Sequence, residues 1–266
     1  MKDYSKDLNN YREFLGSLPL NVYREKYRKI KWVEQDLHPL LFPVASIFEN
    51  YWEKQNFLHF EVWFDKFWEE LSRREETTKK LSNFKGLVYA HRKFYENKIN
   101  NDLDKTFYLG FKARMNRTWI AILTQLDFCY AFVYVCNKQN KSLNLECSAE
   151  LDAKGIDAKV GNAKFQIGKI SQRRVARVKE RLITIPYAVF NIEEFKRKSK
   201  SPRVSPNNRR KYERSLETFY KYFVLLKNGF VVFSEYYLNT IMKNIHSIEN
   251  LKRTSKQISL ELAGEV

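Results

Sequence analysis

Apolar residues recur at three- and four-residue spacing through the first half of the chain, in Tyr11–Leu15, Val22–Tyr27, Val44–Lys54, Phe60–Arg74 and Gly86–Lys98. That period predicts helices with one buried face. Leu37-His38-Pro39 and Leu41-Phe42-Pro43 punctuate the run, because proline interrupts helical hydrogen bonding. Trp52, Trp63, Phe64, Phe67 and Trp68 fall on the helical period and are expected to pack inward rather than to stack on bases. The most apolar stretch runs from Thr118 to Val135 and is broken by Thr124, Gln125 and Asp127. Those groups are costly in lipid, so the stretch reads as a buried helix, not a membrane span.

From Leu145 the period changes to two and β-branched residues appear. This predicts strands at Leu145–Leu151, Ile156–Val160, Ala163–Ile167, Leu182–Val189 and Gly229–Phe233. A basic loop, Lys196–Lys211 with Pro202 and Pro206, is expected between the last two, followed by a helix, Tyr212–Leu226, that ends at Asn228-Gly229. The fold class is α/β (α+β): a mixed central sheet flanked by helices, with a helical N-terminal half. We expect one domain over residues 1–266, mainly helical to 135 and sheet-containing from 136.

Composition adds a partner. The chain has 266 residues, 44% of them hydrophobic, which is ample for a core. It carries 48 Lys and Arg against 31 Asp and Glu, a formal net charge of +17. Such an excess suits a polyanion, either nucleic acid or an acidic membrane surface. Residues 163–214 hold 16 of the Lys and Arg against four Asp and Glu, so the positive field is concentrated there. The chain lacks a basic amphipathic helix with a continuous apolar face, which disfavours the membrane surface.

Cys129, Cys136 and Cys147 match no zinc spacing and are odd in number, so they read as buried thiols in a reducing cytoplasm. Met1–Leu20 is charged and lacks the apolar segment of a secretory signal, so a cytoplasmic protein of a bacterium or archaeon is expected. His38, His59, His91 and His246 are scattered and adjoin no acidic cluster. No glycine-rich phosphate loop, HExxH or GxSxG motif is present, which leaves nucleotide hydrolysis by a phosphate loop and serine chemistry without a basis.

The chemistry is concentrated in Ser148-Ala149-Glu150-Leu151-Asp152-Ala153-Lys154-Gly155-Ile156-Asp157 and in Ala163-Lys164-Phe165-Gln166-Ile167-Gly168-Lys169. If Ala153-Lys154-Gly155 turns the chain, Asp152 and Asp157 approach from adjacent strands and Gln166 offers an oxygen to the same point. Carboxylate and amide oxygens suit a hard cation such as Mg²⁺. A metal held there polarises a phosphate and lowers the pKa of a water, and a neighbouring lysine orients the water or stabilises charge. A plain solvent-facing hairpin shares this acid-turn-acid spacing, and the basic segment just downstream favours the nuclease.

SAELDAKGIDAKV followed by FQIGK resembles the active-site region of the TaqI-type restriction endonucleases, in the PD-(D/E)xK nuclease superfamily. Further blocks accompany it: YREKYRKIKWVEQDL (Tyr23–Leu37), ILTQ (Ile122–Gln125), ITIPYAV (Ile183–Val189) and NGFVVF (Asn228–Phe233). The resemblance implies a PD-(D/E)xK core and a type II restriction endonuclease that hydrolyses DNA with Mg²⁺ at TCGA, cleaving after the T. It makes Asp152 and Asp157 the essential acids and Lys169 the essential lysine. Relatives have a QIKK-like run where this chain has Gln166-Ile167-Gly168-Lys169, so glycine replaces one of two lysines. In an unbroken strand Lys169 points away from Gln166. An irregular backbone at Gly168 is therefore expected, with Lys164 as the fallback lysine.

Arg173, Arg174, Arg177, Lys179, Lys196, Arg197, Lys198, Arg209, Arg210 and Lys211 are the expected DNA-binding residues, most of them on phosphates. A palindrome cut on both strands implies a two-fold homodimer, and a cell carrying such an enzyme is expected to hold a cognate DNA methyltransferase. The competing reading is a catalytically impaired or non-catalytic DNA-binding protein of the same fold, which Gly168 favours.

Overall fold

The fold is described from a computed structural model, over residues 4–30, 42–73, 79–96, 103–169, 182–187 and 191–264. In chain order the helical half comprises α1 (Tyr4–Ser17), α2 (Leu20–Tyr27), α3 (Phe42–Phe48) with a π-helical turn over Glu49–Glu53, α4 (Phe60–Arg73), α5 (Lys79–Glu96) and α6 (Leu103–Lys138). Each helix expected in this half is present, with the last of them far longer than the apolar stretch alone suggests. The punctuation at residues 37–39 lies outside the described residues. Pro43 sits in the first turn of α3, where its missing N–H leaves no bond unmade.

Helix α6 is the spine. Trp119, Leu123, Leu126, Phe128, Cys129, Phe132 and Val135 point to several sides of the helix, yet all are buried. A helix that is apolar all round is stable only with neighbours all round. The segment Phe107–Lys138 is long and apolar enough to cross a membrane, but 78% of its most apolar window is covered by the protein. It is the core helix that the polar interruptions imply.

Those interruptions are anchors. Lys112 holds Glu61 and Asp65 of α4, each at 2.6 Å. Asp127, fully buried, accepts from Arg12 Nε of α1 at 2.9 Å and from the Phe233 N–H at 2.7 Å. Arg12 in turn donates to the Phe233 carbonyl at 2.6 Å. Around them, Tyr11, Tyr51, Phe60, Trp63 and Phe64 fill the core, as the helical spacing predicts.

The second half contains β1 (Leu145–Glu146), a single helical turn α7 (Ala149–Asp152), β2 (Ala158–Val160), β3 (Ala163–Lys169), β4 (Leu182–Tyr187), α8 (Ile192–Lys200), α9 (Pro206–Tyr222), β5 (Phe223–Leu225), β6 (Val231–Phe233), α10 (Glu235–Lys243) and α11 (Ile248–Ala263). The sheet is mixed, in the order β1-β2-β3-β4, antiparallel at the first two junctions and parallel between β3 and β4. Ala158, Phe165, Ile183 and Ile185 share its apolar face, and Phe165 meets Phe128 of α6 with ring centroids 5.7 Å apart. The outer edge of β4 is closed by side chains: Ser255 of α11 donates to the Thr184 carbonyl, and Tyr237 of α10 donates to that of Pro186. Alternate carbonyls on an edge strand point outward, so two hydroxyls acting two residues apart take the place of a fifth strand.

Four expectations are corrected. Leu145–Leu151 is not one strand: the Ser148 hydroxyl accepts from the Leu151 N–H and starts α7. The basic segment Lys196–Lys211 is not a loop but the end of α8, a short turn and the start of α9. Ser205 caps α9 and Pro206 occupies its first turn, so a proline expected to break structure instead marks a helix start. Gly229, with φ 84°, belongs to the turn between β5 and β6, which form a separate two-stranded sheet. The helix expected to run to Leu226 stops at Tyr222, because Phe223–Leu225 pairs with Val231–Phe233.

Without Asp127 the half-buried Arg12 guanidinium loses its carboxylate and the Phe233 N–H loses its acceptor. Asp127→Ala is expected to cost about 3–5 kcal/mol of stability, read as a lower midpoint in chemical denaturation with unchanged steepness.

Candidate active site

Asp152 and Asp157 flank a tight turn, as expected, but they do not sit on adjacent strands. Asp152 ends α7 and Asp157 stands at the entry to β2. Between them the Gly155 N–H donates to the Asp152 carbonyl at 2.8 Å and the Ile156 N–H to that of Leu151 at 3.0 Å. Gly155 has φ 70°, the left-handed conformation that lets this helical turn end at once.

Asp157 is tied directly to β3. Its N–H donates to the Phe165 carbonyl at 2.8 Å, and its Oδ2 accepts from the Ile167 N–H at 2.5 Å. Gln166 lies between those two main-chain partners. Asp157 Oδ1, the Asp152 carboxylate and the Gln166 amide make no hydrogen bond among the described residues, although all three side chains are half-buried. Burial pushes Asp157 up to about 7, with the Ile167 N–H opposing the rise and the charge of Asp152 adding to it. Burial alone pushes Asp152 up to about 6. Two acids held this way favour a cation between them.

Two thiols lie near the acid pair. Cys129 and Cys147 are buried and free, and the Cys147 thiol is pushed up by burial, by its hydrogen bond with Cys129 and by both aspartates. Cys136 is also free and buried, so all three cysteines are the thiols the spacing predicts. Among the described residues, His, Cys, Asp and Glu form no group of three or more able to hold a metal. The donor set is two carboxylates and one amide, which fits a hard cation that keeps part of its water shell and takes further oxygens from a phosphate.

The backbone around Gly168 differs from expectation. β3 pairs with β4 without interruption through Gly168↔Pro186 and Lys169↔Tyr187, so the backbone is regular at Gly168. The glycine answers a close approach instead: a Cβ there would lie 3.3 Å from Thr184 Cγ2. The side chain of Lys169 lies outside the described residues. Lys164, two residues before Gln166, is half-buried and pairs in register with Lys159 of β2, which is bound to Glu146 at 2.8 Å.

Of the expected DNA-binding residues, Arg173, Arg174, Arg177 and Lys179 lie outside the described residues. The others ride on the α8–α9 hairpin, which is pinned by Phe195 and Tyr212 at 4.9 Å between ring centroids. Lys196 and Lys198 are paired along α8 with Glu193 at 2.9 Å and Glu194 at 2.6 Å. Arg197, Arg210 and Lys211 carry further positive charge on this hairpin, joined by Lys200, Arg203 and Arg214; Arg209 is half-buried, with its Nε unpaired. Sequence reasoning gives Gln125 as an interruption of an apolar helix and as the end of the ILTQ block, with no role of its own. Its Nε2 donates to the Asp157 carbonyl at 2.7 Å, and that interruption is itself the signal.

The mixed sheet, an acid pair where α7 leads into the inner strand β2, and a basic helical arm go together. The family model for the TaqI restriction endonuclease matches residues 8–245. The type II restriction enzyme TaqI of Thermus aquaticus is 34% identical over 270 residues, 93% of each chain. The type II restriction enzyme TthHB8I of Thermus thermophilus is 34% identical over 277 residues, 97% of this chain and 92% of the relative. No solved structure matches. The chain belongs to the TaqI restriction endonuclease family, and with it to the type II restriction enzymes.

Both raised carboxylates oppose folding when ionised and without metal. A carboxyl whose folded pKa lies above its usual 3.8 contributes stability that is complete below that value and is lost as pH rises through about 6 for Asp152 and about 7 for Asp157. Asp157→Asn removes the larger share. In metal-free buffer at pH 8 the variant is expected to be about 1–3 kcal/mol more stable than wild type. Denaturation curves at about pH 8 and about pH 4 test this, with the gap closing at the lower pH.

Proposed function

We propose that this chain is a Mg²⁺-dependent endonuclease that cuts duplex DNA at a short palindrome, TCGA, acting as one domain over residues 1–266. The observation that supports it most is the pair of half-buried aspartates, one repelling the other, beside the Gln166 amide. Asp157 Oδ1, Asp152 and Gln166 would hold the ion. Bound there, Mg²⁺ neutralises charge on the scissile phosphate and makes the attacking water more acidic.

The side chains do the rest. The bond from the Ile167 N–H fixes the Asp157 carboxylate so that one oxygen is engaged by the backbone and one is left for the ion. Lys169 orients the water or stabilises charge at the phosphate, and Lys164 is the next cation along β3. The α8–α9 hairpin, with Arg173, Arg174, Arg177 and Lys179, grips backbone phosphates. Such bonds provide affinity and register, while any base reading falls to a minority of the arginines. A two-fold homodimer presents one site to each strand of the palindrome, in the cytoplasm and beside a methyltransferase that protects the host site.

A second reading, a binding protein of the same fold with impaired cleavage, is favoured by Gly168, which stands where the resembling sequences carry a lysine. One incubation separates the two. Plasmid DNA with MgCl₂ is expected to yield ends that all map to TCGA, and none with EDTA; binding without any cut in Mg²⁺ would select the second reading. Lys169→Ala is expected to abolish cleavage and leave duplex binding in Ca²⁺ intact, and full activity would move the role to Lys164. Arg210→Ala with Lys211→Ala is expected to weaken binding to every duplex alike. The slope of log affinity against log salt should fall by roughly one for each phosphate neutralised no longer. Gel-shift titrations at several salt concentrations measure it.

A further inference from the structure

Two consecutive polar residues of α6 find different partners. The Thr124 hydroxyl donates to the Ile120 carbonyl of the same helix at 3.1 Å. Gln125 Nε2 donates to the Asp157 carbonyl at the entry to β2. Gln125 is only 4% exposed, within the most apolar stretch of the chain. Leucine or methionine would fill that space without burying an amide, and an amide left unpaired there would destabilise the fold. The amide of this side chain is directed at the residue that stands nearest the chemistry.

Asp157 is thereby held at three points: its N–H on Phe165, its carbonyl on Gln125 and its Oδ2 on Ile167. Two of those anchors belong to β3 and only one reaches outside the sheet. Asp157 precedes β2, whose register with β3 begins at Ala158↔Phe165, so the ladder does not extend to it. Without Gln125 its carbonyl would be unpaired in a half-buried place and the peptide free to rotate.

We infer that Gln125 is a positioning residue for the cleavage reaction: it locks the Asp157 main chain to α6 and so aims Oδ1 at the metal. The inference rests on the metal-site reading above. Gln125 acts only through Asp157, by way of its main chain.

The test uses the full chain as wild type, Gln125→Met and Gln125→Asn. Methionine keeps the length and volume but has no donor; asparagine keeps a buried amide that is one methylene too short. Each protein is bound to a TCGA duplex with a non-hydrolysable linkage at the scissile position, and Mn²⁺ is titrated in and followed by electron paramagnetic resonance. The Mn²⁺ dissociation constant is expected to rise about tenfold or more in Gln125→Met. The Mg²⁺ requirement for cleavage should move in parallel, while metal-free duplex affinity stays at the wild-type value and the melting temperature falls far less than the metal affinity. Should Gln125→Met fail to fold, the same shift in Gln125→Asn carries the test.

Unchanged Mn²⁺ affinity in a folded variant overturns the inference and leaves the nuclease reading standing. Equal reductions in metal affinity, metal-free DNA affinity and melting temperature overturn it too, since they mark a merely structural bond. If wild type itself neither binds Mn²⁺ nor cuts, the nuclease reading falls first.

Discussion

A helix that is apolar on every side must be enclosed on every side, and α6 imposes that condition on the rest of the molecule. Its few polar side chains then have to find partners away from water. Lys112 finds α4, Gln125 finds the entry to β2, and Asp127 finds both α1 and β6. Each bond fixes the place of a different element against the same axis. The helical half and the sheet thus share one spine, and the site inherits its geometry from it.

The acid pair is a local weakness within that frame. Burial raises both carboxyls and their charges repel, so the metal-free protein gives up stability where the chemistry is concentrated. The β3 backbone supplies only one compensating N–H to a carboxylate, that of Ile167 to Asp157. The opposite charge is carried by the α8–α9 hairpin, where Lys200, Arg203, Arg210, Lys211 and Arg214 have no bound carboxylate among the described residues.

Much of this is legible in the sequence, and the parts that are not share a cause. Helical spacing locates α2, α4 and α5, and the interrupted apolar run locates the middle of α6. Alternation locates β2, β3 and most of β4, and with them Asp157 and Gln166. Ser148 reads as part of a strand because β-type residues surround it, whereas its hydroxyl caps a single turn that no period can register. Pro206 reads as loop punctuation, although a proline in the first turn is as much a helix start. Gly168 reads as a bulge, whereas the strand is regular there and a Cβ would press on the Thr184 methyl of the neighbouring strand at 3.3 Å.

The family, the class of fold, the buried character of α6 and the identity of the acids and the amide follow from the order of residues alone, because periodicity and short motifs are local properties. The placement of Asp152 on a helical turn, the closure of the β4 edge by Ser255 and Tyr237, and the grip of Gln125 on Asp157 do not. The last joins residues 32 positions apart, and the edge bonds join residues 51 and 71 apart. Only the folded chain decides which distant donor meets which carbonyl, since every buried polar group must be satisfied at once.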